Sequence, residues 1–147
     1  MVLAFKARQN TKDVDAIFQP AQDIRELSRI VQKEQNIPEN WINDAAKGFL
    51  SDRHEVVPGD LPQFEYLRLT APTAEYLLAM KCMASRIADK PEERGDLQDI
   101  QFLLKWLSLK SPDQAIEIVK RYYPEERIPA RARFVIEDIF EQLGGSS

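Results

Sequence analysis

The chain is poor in the residues that several kinds of site require. It has one cysteine, Cys82, and one histidine, His54, in 147 residues. One cysteine cannot close an internal disulfide, so a disulfide-stapled secreted scaffold is excluded and a reducing cytoplasm is the expected location. One histidine far from that cysteine cannot build a histidine- or cysteine-rich zinc site, and no sequence pattern argues for a Ser/His/Asp triad. Glycine occurs only five times, and no glycine-rich phosphate loop is present. There is no apolar run long enough to span a bilayer, no internal repeat and no low-complexity tract. The opening Met1-Val2-Leu3-Ala4-Phe5-Lys6 is too short and too soon charged to read as a signal peptide.

What remains is the composition of a globular domain: 44% hydrophobic, 30% charged, net charge −4. An acidic chain is not a general polyanion binder, although local basic groups at Lys6, Arg8 and Lys12, and again at Lys120, Arg121, Arg127, Arg131 and Arg133, can still meet phosphates. The pattern predicts an α+β fold in a single domain over residues 1–143. A small mixed sheet is expected within residues 1–70, a helical part over 71–143, and a flexible tail at 144–147.

Residues 13–18, Asp-Val-Asp-Ala-Ile-Phe, alternate polar and apolar and predict a strand ended by Pro20. Helical spacing follows over 21–36, with Ile24, Leu27, Ile30 and Val31 on one stripe, and a shorter helix is predicted over 39–50. Arg53–Val57 and Gln63–Leu69 read as the two strands of a hairpin around Pro58-Gly59-Asp60. Pro72 is placed in the first turn of the next helix. Further helices are predicted over 96–108, from the Ser111-Pro112-Asp113-Gln114 capping box to about Tyr123, and over 130–143.

The most chemically suggestive feature is the Asp13-Val14-Asp15 pair. Period-two geometry puts both carboxylates on one strand face, where their repulsion is relieved by a hard cation such as Mg²⁺. Most Asp-x-Asp pairs are solvated surface carboxylates, and that is the plain alternative here. Lys81 interrupts an apolar helical run and reads by itself as a snorkelling lysine. Asp96 and Asp99, three apart on one helix, read as first-turn acids favoured by the helix dipole. Cys82 is expected to be a small buried residue, and Trp41 and Trp106 to be packing residues.

Arg8-Gln9-Asn10-Thr11-Lys12-Asp13-Val14-Asp15-Ala16 resembles the second motif of nucleotidyltransferases of the DNA polymerase β superfamily, in the small prokaryotic group related to AbiEii-type toxins. Trp41–Leu50 and Pro72–Lys81, followed by Arg86 and by Asp96-Leu97-Gln98-Asp99-Ile100, are similar to the same group. The likeness covers about residues 4 to 143.

The resemblance implies a Mg²⁺- or Mn²⁺-dependent enzyme that moves a nucleotidyl group from a nucleoside triphosphate to an acceptor hydroxyl. The acceptor would be an RNA end, a protein or a small molecule, and a toxin role would bring an antitoxin partner. Asp13 and Asp15 would hold the metal. Arg8, Thr11, Lys12 and Lys81 would meet the nucleotide, and Asp96 or Asp99 would be the downstream acid needed for activity. Glu65 and Asp44 are the candidates for a third carboxylate. The family's Gly-Gly or Gly-Ser turn, about ten residues before the Asp pair, has no counterpart here. That departure sets up the competing expectation of a non-catalytic module on the same fold, acting through protein contacts that include a homodimer.

Overall fold

In a computed structural model, residues 14–85 and 94–144 are described. The chain is mixed α/β, with five α-helices and two small sheets among those residues. Its first unit is β1 (Val14–Asp15), α1 (Ala21–Gln35) and β2 (Ile42–Asn43). The two strands pair in parallel, Val14 opposite Ile42 and Asp15 opposite Asn43. A parallel pair cannot be closed by a tight turn, and α1 supplies the crossover it needs. The strand predicted over 13–18 is shorter, pairing only at Val14–Asp15, but the predicted alternation holds past it: Val14, Ala16 and Phe18 are half-buried, whereas Asp15 and Ile17 are exposed.

Helix α1 ends where Asn36 turns left-handed at φ 50° and the Ile37 amide bonds back to the Gln32 carbonyl at 3.2 Å. The Trp41 indole N–H donates to the Ser28 carbonyl at 3.1 Å, and Arg25 pairs with Asp44, so the residues on either side of β2 are tied to the helix. Residues 39–50 do not form the predicted helix. They make β2 and a short 3-10 turn, Ala45–Phe49, because pairing with β1 claims the backbone of Ile42 and Asn43.

The predicted hairpin is also replaced. β3 (Val56–Val57) pairs antiparallel with β4 (Ala71–Pro72), and Gln63–Leu69 is not a strand. Pro72 therefore closes a strand instead of opening a helix. Thr73 is the N-cap of α2 (Ala74–Ala84), its Oγ1 accepting from the Tyr76 amide at 3.3 Å.

The core lies in the second half. Helices α2, α3 (Arg94–Trp106), α4 (Pro112–Tyr122) and α5 (Ala130–Gly144) pack around one another, with α2 at the centre against α3 and α4. Being apolar nearly all round, α2 buries Tyr76, Leu78, Ala79, Cys82 and Met83, as a central helix must. Its neighbours contribute Ile100, Leu103 and Leu104 from α3, Ala115, Ile116, Ile118, Val119 and Tyr122 from α4, and Ala132, Val135, Ile136 and Ile139 from α5. The predicted cap of α4 is present: Ser111 Oγ accepts from the Gln114 amide, while Gln114 Oε1 accepts from the Lys110 amide at 2.7 Å.

Candidate functional site

Lys81 occupies the last turn of α2, where the apolar run would otherwise continue. Its side chain is mostly covered, and its ammonium reaches the first two turns of α3. There Asp96 and Asp99, three residues apart, share a helical face. Lys81 Nζ is 2.8 Å from Asp96 Oδ1 and 3.0 Å from Asp99 Oδ2. The two aspartates, alternatives in the sequence, thus converge on one amine.

They are not equivalent. The Asp99 side chain is 2% exposed and that of Asp96 is 54% exposed, with Lys81 between them at 18%. Burial acts against the Lys81 charge, but the hydrogen bond and field of Asp96 and the field of Asp99 outweigh it, and the pKa of Lys81 rises above its ordinary value. One ammonium between two carboxylates leaves the trio with a formal charge of −1.

The surroundings hold α2 in place. Arg131 of α5 donates through Nε to the Ser85 carbonyl at 2.9 Å, and Ser85 Oγ donates to the Cys82 carbonyl at 2.7 Å. A guanidinium at the carbonyl end of α2 satisfies groups that have no intrahelical partner and complements the helix dipole. Cys82 is fully buried next to Lys81, and burial pushes its thiol up to about 12. That disfavours the thiolate and makes the residue a packing group, as the sequence suggested.

Asp15 stands exposed on β1, its strand held by the Val14 amide to the Trp41 carbonyl at 2.7 Å and the Ala16 amide to the Asn43 carbonyl at 2.9 Å. Asp13, Arg8, Thr11, Lys12 and Arg86 lie outside the described residues. Among the described residues no group of three or more His, Cys, Asp and Glu side chains is arranged to hold a metal ion. Asp44 is engaged by Arg25, and Glu65 is exposed in a bend. Trp41 packs as expected, but Trp106 is an exposed ring stacked on Phe102 at 5.7 Å between centroids.

A second polar cluster has no counterpart in the sequence reading. The Tyr76 and Tyr122 rings stack at 5.0 Å. Tyr122 donates to Glu55 Oε2 at 2.6 Å, and Thr73 Oγ1 meets the same oxygen at 3.3 Å. The Tyr76 hydroxyl accepts from the Ser51 amide at 3.1 Å and lies 3.4 Å from His54 Nδ1, and Ser51 Oγ donates to the Tyr122 carbonyl. Burial and the Glu55 carboxylate push the Tyr122 phenol up to about 12. These groups fasten the extended segment 51–55 to α2 and α4. No local spacing could have indicated them, since residue 51 lies 71 positions from residue 122.

Comparisons with protein-family models, with curated proteins and with solved structures return no match for this chain.

Proposed function

We propose that this chain is a metal-dependent nucleotidyltransferase of the polymerase β type, moving a nucleotidyl group from a nucleoside triphosphate to an acceptor hydroxyl on RNA, on a protein or on a small molecule. The observation that carries the proposal is the meeting of Lys81 with both Asp96 and Asp99, residues that the resemblance singled out from two separate segments. In this role Lys81 meets the nucleotide phosphates, and the neighbouring carboxylates favour its charged form. The β1–α1–β2 unit is taken as part of the nucleotidyltransferase-type sheet, with Asp15 presented to solvent on its first strand.

An exposed carboxylate of this kind suits a hard, hydrated cation. Asp13 and Asp15 would hold Mg²⁺ or Mn²⁺, which when bound supplies charge neutralisation to the triphosphate. A toxin role with an antitoxin partner belongs to the same proposal.

The test is label transfer from α-labelled triphosphates with Mg²⁺ and total RNA, protein and small-molecule acceptors, comparing wild type with Asp13→Asn/Asp15→Asn and Lys81→Met. Transfer that both variants abolish is expected. Absence of transfer, together with Mn²⁺ affinity unchanged by the Asp13→Asn/Asp15→Asn pair, would refute it.

An alternative role, a non-catalytic interaction module on the same fold, is favoured by one observation: α1 buries none of its residues and leaves Leu27, Ile30 and Val31 open to solvent. Concentration-dependent self-association that Leu27→Ser/Ile30→Ser abolishes would support it.

A further inference from the structure

We infer that Asp96 and Asp99 divide the work at Lys81: Asp99 is a fixed anchor that positions the amine, and Asp96 is a displaceable partner that occupies it until a phosphate takes its place. This rests on the proposed phosphate-facing role of Lys81.

The inference comes from the asymmetry of the trio. Both carboxylates lie within hydrogen-bond distance of one Nζ, but Asp99 is 2% exposed on the inner side of α3 and Asp96 is 54% exposed at its first turn. Water can solvate Asp96 once it lets go of Lys81, so releasing it is cheap. Water cannot reach Asp99 in the same way, so solvent does not replace the Lys81 contact when it is released. An ammonium carries three donors in a flexible arrangement, so it can keep its bond to Asp99 while exchanging Asp96 for a phosphate oxygen.

The charge of the trio points the same way. With both aspartates in place the trio's own formal charge is −1 and the amine is occupied on two sides. With Asp96 turned out to solvent, the remaining pair is neutral and presents unused N–H donors to the incoming oxygen. Asp96 therefore acts as a competitor for the same amine, and Asp99 as a positioning residue whose loss unaims it.

The sign of two matched substitutions separates this from simple charge removal. Asp96→Asn and Asp99→Asn each delete one negative charge beside Lys81, so a purely electrostatic effect strengthens polyanion binding in both. The handover predicts opposite signs. Titration calorimetry with inorganic tripolyphosphate on the full chain is expected to show Asp96→Asn binding about three-fold tighter than wild type, the size expected when an exposed ion pair no longer competes. Asp99→Asn is expected to bind more weakly than wild type, and Lys81→Met/Asp96→Asn to lose the gain.

If Asp99→Asn fails to fold, Asp99→Glu takes its place: it keeps the charge and moves the carboxylate, so the handover expects weaker binding than wild type, and binding equal to wild type overturns it. Unchanged or weaker binding by Asp96→Asn, or tightening that persists without Lys81, overturns the handover. If Lys81→Met binds tripolyphosphate as wild type does, or wild type does not bind it, the phosphate-facing role of Lys81 fails and the handover fails with it. If Lys81→Met loses binding and Asp96→Asn fails to tighten it, the handover alone is overturned.

Discussion

Replacing Lys81 with methionine tests the energetics of the trio directly. The substitution keeps most of the apolar stem and deletes the ammonium. Asp99, buried to 2%, loses the cation 3.0 Å away, whereas Asp96, 54% exposed, turns to water. Breaking a fully buried pair from one side costs about 3–5 kcal/mol, and breaking an exposed one costs about 0–1 kcal/mol. Lys81 is itself 18% exposed, so solvent relieves part of the penalty and the expected loss is about 2 kcal/mol. For a chain of this length that is a fall of about 6 °C in Tm. Asp96→Asn is expected to cost no more than about 0.5 kcal/mol. Lys81→Met/Asp99→Leu, which removes both members of the inner pair, is expected to be at least about 1 kcal/mol more stable than Lys81→Met alone, because no carboxylate is then left desolvated. Urea unfolding monitored by far-ultraviolet dichroism measures all of these, and equal m-values would license the comparison. A Lys81→Met cost below about 0.5 kcal/mol, or an Asp96→Asn cost equal to it, refutes the division into an inner and an outer partner.

Other outcomes follow from the same structure. The raised pKa of Lys81 means that the folded chain holds this proton more tightly than the unfolded chain. The contribution is complete below the ordinary lysine value of 10.5 and is lost as pH climbs through the elevated folded value. Cys82 acts in the same direction from its ordinary value of 9.0 up to about 12. Urea midpoints should therefore fall on the alkaline side, and less steeply in Lys81→Met and Cys82→Ala. An alkaline fall identical in all three would contradict this. At neutral pH the Cys82 thiol should resist maleimide in the folded protein and react in urea, because it is fully buried and its thiolate is disfavoured; rapid stoichiometric labelling of native protein would contradict the packing. Ser111→Ala, which removes the acceptor that caps α4, is expected to cost about 1 kcal/mol in urea unfolding, and no loss would show that Pro112 and Gln114 suffice to start the helix.

Periodicity and capping chemistry are local, and the elements they control were legible from the residues alone. Helix α1 and the Ser111-Pro112 start of α4 appear where the spacing put them, within a residue or two, and burial alternates over 14–18 although the strand is only Val14–Asp15; the apolar stripe of α1, by contrast, stays open to solvent at Leu27, Ile30 and Val31. Within the helix predicted over 96–108, Ile100, Leu103 and Leu104 are buried, and Leu97 and Leu107 lie at the margin of the core. Residues 39–50 and 63–72 read wrongly because their conformation is decided by distant backbone. Ile42 and Asn43 become a strand only when β1 is alongside, and Pro72 becomes a strand end only when Val56 is opposite.

The candidate site divides in the same way. The resemblance marked Lys81, Asp96 and Asp99 as residues worth weighing, and spacing left the choice between the two aspartates open. Only the packing of α3 on α2 brings both to one amine, and only the depth of that packing makes one buried and the other exposed. Solvation depends on what surrounds a side chain in three dimensions, and neighbours 15 or 18 positions away along the chain are not visible in local sequence.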